Sequence, residues 1–316
     1  MSANQPISAV CITCCKADFH LTRICVASVR YWYPEIPIYL IKDHTQGNFS
    51  SVALEKNWGV QPLTPDPLFL GWGFVKLAGF FRPEDSRILM LDSDTVMVGR
   101  VIDALEQVAA DFIVAGERVA HPGHPLIRKH YFDWDKLKNF DPDFEFEGYC
   151  FNGGQLVART GVLTKADFDP LVIWNRPVAL KYPDIFFEGD QGVLNYLLQK
   201  KSRRQELTVA LADFSRWGSS PEIDKYSLDA IRRHEGYPFV IHWAGPKPEL
   251  IEGLRRHDIL QFFEDQYYAR SASERRWRPW RRLRLRQRTV SRHLRSLLNK
   301  ARRVLRTQVV PVMGGT

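Results

Sequence analysis

The segment that most constrains the fold is Arg87–Leu91, an apolar run that ends in Asp92-Ser93-Asp94. A short apolar run bounded by polar residues is typical of a buried strand in an α/β sheet, and such sheets bind ligands just beyond the carboxyl ends of their strands. The i, i+2 spacing places both carboxylates on one side of an extended chain. A second segment, 240–248, carries His242. Two carboxylates and an imidazole suit Mg²⁺ or Mn²⁺ and leave positions for phosphate oxygens, so these residues predict a metal site that binds a diphosphate.

An isolated Asp-x-Asp is also typical of a solvated turn or a helix cap. Here it belongs to an ordered set of motifs. In chain order these are Trp72–Leu77 with Lys76, the Asp92 segment, Phe151–Leu156, Glu188–Asn195 and the His242 segment. The set resembles glycosyltransferase family 8, the retaining nucleotide-sugar transferases that include glycogenin and bacterial lipooligosaccharide galactosyltransferases. The resemblance covers roughly residues 7–250.

The resemblance implies a GT-A type fold and assigns roles to the matching positions. It implies that Mn²⁺ or Mg²⁺ is held by Asp92, Asp94 and His242. The implied contacts with the nucleotide-sugar donor are Lys76, Ser93, Asn152, Gly245 and Lys247. The implied catalytic residues at the donor sugar are Asp190 and Gln191. One residue fewer separates Gly245 from Lys247 than in the family pattern, which shifts the lysine by about 3.3 Å.

Three further residues follow the first predicted strand, in the region where the resembled family contacts the nucleotide. Thr13 and Asp18 are candidates for the base or ribose, and Phe19 is a candidate for stacking on the base. Stacking on an aromatic side chain contributes about 1–3 kcal/mol. An aromatic residue that opens an amphipathic helix is also typical of the core, and this alternative stays open for Phe19.

A retaining transfer needs either a covalent glycosyl-enzyme or attack on the same face within an ion pair. For the covalent route, Asp190 is the candidate nucleophile. The amide of Gln191 can stabilise positive charge only electrostatically, and Glu117 is a further candidate for contact with a sugar hydroxyl. Asp190 can also serve as the N-cap of a helix over 191–199. The sequence does not choose between the two routes.

Alternating apolar runs and helical segments predict an α/β, Rossmann-like fold with a mainly parallel mixed sheet flanked by helices. The predicted strands are 7–14, 37–42, 88–91 and 111–115. The predicted helices are 19–32, 72–81 and 101–108. Residues 117–150 break this pattern, and long irregular segments are often binding loops. We interpret the segment as part of the acceptor pocket, with a purely structural excursion as the alternative.

Length and composition favour one catalytic domain over residues 1–269 with an appended tail over 270–316. Hydrophobic residues make up 45% of the 316 residues, which is enough for a substantial core. No run of 18 uncharged apolar residues predicts a membrane span, and the polar N-terminus does not have the pattern of a signal peptide. The five cysteines are interpreted as small buried residues of a protein in a reducing, cytoplasmic compartment.

The tail has a different character. Residues 270–306 contain 15 Lys and Arg against Glu274 alone, a net charge of +14, so the rest of the chain carries −6 of the overall +8. Its apolar residues recur at spacings of mostly three or four: Trp277, Trp280, Leu283, Val290, Leu294, Leu297, Val304 and Leu305. A basic amphipathic helix with tryptophans is typical of a segment that lies in an anionic membrane interface. Packing against a partner or the chain's own domain is the main alternative, and we expect no nucleic-acid partner.

Together these features predict a metal-dependent retaining glycosyltransferase. The expected reaction moves a hexose from a nucleotide diphosphate, UDP-glucose or UDP-galactose, to a saccharide or lipid-linked saccharide at the inner membrane face. One alternative is a haloacid dehalogenase-type phosphohydrolase, because Asp92-Ser93-Asp94-Thr95 after an apolar strand also fits its nucleophile motif. A non-catalytic glycan-binding protein of the same fold is the other.

Overall fold

The computed structural model describes residues 5–64, 71, 73–187, 189–245 and 250–287, together with 290, 291 and 294. The strands are β1 Ile7–Cys15, β2 Ile38–Asp43, β3 Val60–Leu63, β4 Arg87–Asp92, β5 Thr95–Met97, β6 Phe112–Arg118, β7 Tyr149–Arg159, β8 Val172–Ile173, β9 Ala179–Leu180, β10 Val209–Leu211, β11 Ser215–Trp217 and β12 Val240–His242. The α-helices are α1 Phe19–Trp32, α2 Val52–Trp58, α3 Leu77–Phe80, α4 Val101–Leu105, α5 Pro125–His130, α6 Trp134–Phe140, α7 Lys165–Phe168, α8 Asp190–Arg203, α9 Leu228–Arg232, α10 His257–Arg270 and α11 Ala272–Arg275. Short 3₁₀ turns cover Phe74–Lys76, Pro221–Lys225 and Ile251–Gly253.

A seven-stranded sheet in the order β10-β6-β7-β4-β1-β2-β3 forms the centre of the fold. All its strands are parallel except β7, which runs antiparallel between β4 and β6. Helices cover both faces, so successive residues of the apolar strands are buried on opposite sides. In β1, Val10 and Ile12 pack with α1, whereas Ala9 and Cys11 pack with the layer that contains α8. The expected α/β fold with a mainly parallel sheet is confirmed.

Helix α1 has the predicted bounds, and its buried face positions the turn that carries the acidic motif. Ser28 is fully buried, and its hydroxyl accepts a hydrogen bond from Met97 N at 3.1 Å. The indole of Trp32 donates to Met97 O at 3.1 Å. Strand β5, which begins directly after Asp94, is therefore fixed to α1. A three-stranded sheet, β11-β12-β5, then pairs His242 with Thr95.

Residues 117–150 are not the irregular segment that the sequence predicts. They contain α5 and α6, and the Asp133 side chain caps α6 by accepting from Lys136 N at 3.2 Å. Ile127, Phe132 and Leu137 are fully buried in the core layer that contains α8. The prediction was wrong because clustered charges and prolines interrupt the apolar spacing along the sequence. The buried residues of α5 and α6 form one apolar face only after the two helices pack on the domain. The predicted helix over 72–81 is also divided, with a 3₁₀ turn before α3.

The beginning of the tail packs against the domain. The Ser271 hydroxyl is buried and accepts from the Trp58 indole at 3.0 Å. Glu274 is paired with Arg23 of α1 and accepts from Tyr267. A further helix over 278–287 extends these contacts. None of the helices among the described residues has the length and hydrophobicity needed to cross a membrane.

Candidate active site

Three candidate metal ligands meet at the carboxyl end of β4. Asp92 is the last residue of β4, Asp94 lies in the turn to β5, and His242 is the last residue of β12. One ligand atom from each lies within 4.8 Å of the others, and His242 Nε2 is 3.2 Å from Asp94 Oδ1. Two ligands at right angles around Mg²⁺ would be about 3.0 Å apart, given bonds of about 2.1 Å. The spacing and the donor types therefore fit a divalent cation.

The electrostatics of the cluster also favour a cation. Burial lowers the pKa of His242 to about 4, so the imidazole is neutral near pH 7, the form that coordinates a metal. Its Nδ1 is buried and has no hydrogen-bond partner among the described residues. The turn itself is held by Thr95 Oγ1, which donates to Asp92 O at 2.7 Å, and by Trp243 N, which donates to Asp94 O at 3.0 Å.

Lys76 connects this cluster with α8. Its ammonium is almost fully buried and donates to Gly153 O at 2.7 Å. It lies 3.2 Å from Asp190 Oδ2 and 3.6 Å from Asp92 Oδ1. Burial lowers the pKa of Lys76, but the two carboxylates outweigh this effect and raise the pKa above its usual value, so the lysine is charged. Burial raises the pKa of Asp190, and the charge of Lys76 opposes that shift.

Two glycines allow the backbone to approach these groups closely. Gly73 has φ +80°, and a Cβ there would lie 1.8 Å from Asp190 Oδ1. A Cβ on Gly154 would lie 2.5 Å from His242 Cε1 and 2.7 Å from Asp92 Oδ2. Because β7 is antiparallel to β4 and Leu91 pairs with Gln155, Gly154 faces the end of β4. Neither position accommodates a side chain without displacement of a candidate site residue.

The first turn of α8 is tied to β7 by an amide network. Gln191 Oε1 accepts from Asn152 Nδ2 at 2.9 Å and from Gly153 N at 3.1 Å. Gln191 Nε2 donates to His130 O at 3.2 Å, so both ends of its amide are engaged. Gly189, with φ 61°, occupies the N-cap of α8, and Asp190 is the first residue of the helix. The alternative interpretation of Asp190 as the N-cap was therefore wrong.

The nucleotide candidates lie at the end of β1 and the start of α1. Thr13 is in register with Asp92, and Thr13 Oγ1 donates to Asp92 Oδ1 at 2.9 Å. Asp18 precedes α1 without a side-chain cap hydrogen bond. The ring of Phe19 contacts Arg23, whose Cζ is 4.5 Å from the ring centroid, and Phe49 at a centroid distance of 4.9 Å. These contacts agree with the alternative of a packed aromatic residue at position 19.

The remaining predicted residues are placed as follows. Ser93 is buried beside the metal ligands. Gly245 has φ +97°, a conformation that favours glycine, and among the described residues a Cβ there would meet nothing within 4 Å. Lys247 lies outside the described residues. Its predicted phosphate contact stays a prediction.

Sequence reasoning missed Trp217, whose ring stacks on His242 at 5.5 Å between centroids and 26° between planes. It also assigned no role to Gln155, although the residue lies inside a quoted motif. Trp217 comes from β11, which reaches the site only through the small sheet, so no local pattern marks it.

Neither a family model nor a curated protein matches the sequence. Among solved structures, the galactosyltransferase LgtC in complex with donor and acceptor sugar analogues matches with a TM-score of 0.56 and 16% identity over 86% of this chain and 99% of LgtC. The bifunctional glycosyltransferase WbbM matches with a TM-score of 0.54 and 13% identity over 85% of this chain. This chain spans about half of WbbM, 52% of its length. The likeness confirms the GT-A type fold, which is not the fold expected of the phosphohydrolase alternative.

Proposed function

We propose that this chain is a metal-dependent retaining glycosyltransferase that uses a UDP-hexose, UDP-glucose or UDP-galactose. The observation that carries the proposal is the meeting of Asp92, Asp94 and His242 next to the buried pair of Lys76 and Asp190. The LgtC and WbbM structures, which share the fold, support the same chemistry. A non-catalytic glycan-binding protein would not need a buried charged lysine between two acidic groups, because that arrangement is costly to maintain.

In the proposed reaction, Asp92, Asp94 and His242 would hold a divalent cation, which would supply positive charge to the departing diphosphate. Lys76 adds a second positive charge on the side of the cluster that faces Asp190. We assign to Asp190 the role of nucleophile or of stabilising a cationic sugar, and its contact with Lys76 beside the cluster supports this assignment; both routes stay open. The amide of Gln191 is hydrogen-bonded at both ends, so its role is to position Asn152 and the start of α8.

The first test is whether UDP binding requires the metal. The full-length protein should show a UDP-induced rise in melting temperature with Mn²⁺ or Mg²⁺ and none with chelator. A ligand at 100 times its Kd stabilises a protein by about 2.7 kcal/mol, which such a shift detects. Asp94→Ala should abolish the shift, whereas Asp229→Ala, at an exposed ion pair of α9, should leave it unchanged. Equal UDP binding with and without metal would contradict the site assignment.

The second test concerns turnover. A transferase of this type should release UDP slowly from a UDP-hexose without an acceptor and should show no activity on generic phosphomonoesters. Robust phosphomonoester hydrolysis that Asp92→Asn eliminates would favour the phosphohydrolase instead. UDP binding without release from any common UDP-hexose would favour the binding protein.

We further propose that the tail binds an anionic membrane surface and brings the site to lipid-linked acceptors at the inner face. In the described part of the tail, some arginines contact the domain and several large apolar side chains are exposed to solvent. Arg278 and Arg282 donate to Glu264 of α10, whereas Trp277 and Trp280 are 50% and 65% exposed. Leu283, Val290 and Leu294 are also exposed. Arg278 and Arg282 thus hold the helix to the domain, while exposed tryptophans lie beside exposed arginines such as Arg284, an arrangement suited to an anionic membrane interface.

Co-sedimentation with anionic vesicles tests the tail in the full-length chain. Substitution of both Trp277 and Trp280 by Ser should weaken vesicle binding while metal-dependent UDP binding persists, since neither residue contacts the site. Binding should fall with salt but not vanish, because the apolar contribution is not screened. If the double variant and the unaltered protein sediment equally, or if neither sediments, the membrane interpretation is wrong.

A further inference from the structure

A cavity of about 450 Å³ adjoins the candidate site and is lined by residues of β6, β7 and β10 of the seven-stranded sheet and of β11 of the three-stranded sheet. It is large enough for a saccharide unit, given that small-molecule sites span about 300–1,000 Å³. Asn152 lines it and joins it to the amide network of Gln191. The lining also includes Glu117, Gln155, Ser215, Arg216 and Trp217.

Trp217 gives the cavity an aromatic wall. The side chain is 38% exposed although it stacks on the buried His242. Its indole N–H donates to Glu117 Oε1 at 3.1 Å, which fixes the ring plane. A rigid, partly exposed aromatic ring offers a large apolar area at low entropic cost, as needed by a ligand with one apolar face.

Polar groups that line the same cavity are prearranged for hydroxyls. Gln155 is 1% exposed, its Nε2 donates to Ser215 Oγ at 2.8 Å, and its Oε1 has no hydrogen-bond partner among the described residues. Since Ser215 Oγ accepts from Gln155, its own proton is available to a ligand. Gln155 is itself buried, so its amide orients the Ser215 hydroxyl and leaves contact with a ligand to that hydroxyl.

The charges indicate a neutral ligand. Arg216 is bound by Asp213 and lies 2.8 Å from Glu222, so its guanidinium is already compensated. The cavity is lined by three carboxylates and two guanidinium groups, which belong to Glu117, Asp213, Glu222, Arg118 and Arg216. There is no surplus positive charge to bind a phosphate or a carboxylate.

We propose that this cavity binds the acceptor, and that the acceptor presents an uncharged hexopyranose that stacks on Trp217 and is hydrogen-bonded by Ser215. The inference rests on the proposed glycosyltransferase function. The nucleotide candidates at the end of β1 lie on one side of β4 in the sheet, and the cavity at β6, β7 and β10 lies on the other. The metal cluster at the end of β4 separates them. A donor whose diphosphate binds there with its nucleoside toward β1 leaves the cavity to the second substrate.

The test measures binding of four probes, the methyl α- and β-glycosides of glucopyranose and galactopyranose, to the full-length protein with Mn²⁺ and UDP. Saturation-transfer NMR detects such weak ligands. At least one glycoside should bind, and Trp217→Ala should weaken it on the order of tenfold, as expected for a tryptophan contact. Trp217→Phe should restore part of the affinity, and Ser215→Ala should weaken binding without a change in UDP affinity. Trp174→Ala is the matched control, because its indole also donates to a carboxylate, Asp169, but lies outside the cavity.

The inference would be overturned if none of the four glycosides binds. It would also be overturned if Trp217→Ala and Ser215→Ala both bind the glycoside as well as the unaltered chain does. Displacement of the glycoside by a UDP-hexose but not by UDP would assign the cavity to the donor sugar and would also overturn it. UDP affinity is measured in parallel. If metal-dependent UDP binding is intact in these cases, only the acceptor assignment is refuted. If the unaltered protein shows no metal-dependent UDP binding, the proposed function is refuted.

Discussion

Gly154→Ala should disable the metal site while the fold survives. The added Cβ would lie 2.5 Å from His242 Cε1, whereas carbon atoms in ordinary contact are about 3.5 Å or more apart. The imidazole would therefore have to retreat by about 1 Å. Trp217 stacks against the ring and His242 is buried, so the space behind it is already filled.

The expected loss of metal affinity follows from the narrow range of bond lengths that metal coordination tolerates. Bond lengths in protein metal sites hold within about 0.2 Å, so a displacement of about 1 Å exceeds that tolerance roughly fivefold. Even changes to residues that only support a ligand lower metal affinity about 10- to 100-fold, and we expect at least that loss here. Overpacking should lower the free energy of unfolding by about 1–3 kcal/mol, which leaves most of the protein folded.

Calorimetric titration of UDP in the presence of Mn²⁺ measures the effect, and a thermal melt monitors the fold. Gly153→Ala is the matched control on the same strand. A Cβ there would lie 3.3 Å from Asp190 Oδ2 and 3.4 Å from Lys76 Nζ, but would not reach the metal ligands. Because its Cβ does not reach the candidate metal ligands, its loss of metal-dependent UDP affinity should be much smaller than that of Gly154→Ala. Unchanged affinity in a folded Gly154→Ala protein would refute the reasoning.

Two other predictions concern buried charge. Lys76→Met should lower the free energy of unfolding by about 3–5 kcal/mol, because it leaves Asp190 and Asp92 uncompensated. The double variant Lys76→Met with Asp190→Asn should recover part of this loss. A double variant that is no more stable than Lys76→Met would contradict the pairing of Lys76 with Asp190. Burial raises the pKa of Glu274, but Arg281 and Arg23 outweigh it and hold the pKa below its usual value. The extra stability of the unaltered chain over Glu274→Gln should therefore be complete above about pH 4.3 and disappear as the pH falls through the lower folded-state pKa, as denaturant midpoints across pH 3–7 would show.

Local sequence patterns predicted the elements that define the sheet centre and the acidic turn. The run before Asp92 is buried on both faces, so its hydrophobicity is continuous and identifies a strand without tertiary information. Helix α1 was predicted with its observed bounds because its apolar spacing follows one helical face. The predicted ligands Asp92 and Asp94 come together because they share one turn.

Other features depend on pairings between distant segments. Residues 117–150 form two short capped helices, and their buried residues become evident only when they pack against the layer with α8. Trp217 reaches His242 because β11 pairs with β12, and this pairing leaves no local signature. The same holds for Gln155, whose partner Ser215 is 60 residues away.

The difference between residues set by local motifs and residues set by distant pairings indicates which part of the candidate site can vary between proteins of one fold. The candidate metal ligands and Lys76 are constrained by close contacts, including those with the backbone at Gly153 and Gly154, and their motifs are visible in the sequence. The walls of the cavity beside them are side chains at strand ends, and they are held by single hydrogen bonds such as that from Trp217 to Glu117. A substitution at Ser215 would change the surface offered to the proposed acceptor without altering the candidate metal ligands, whereas a substitution at Trp217 would also remove the ring that stacks on His242. The proposed donor chemistry therefore follows from sequence motifs, whereas the proposed acceptor rests on the geometry of Trp217, Gln155 and Ser215.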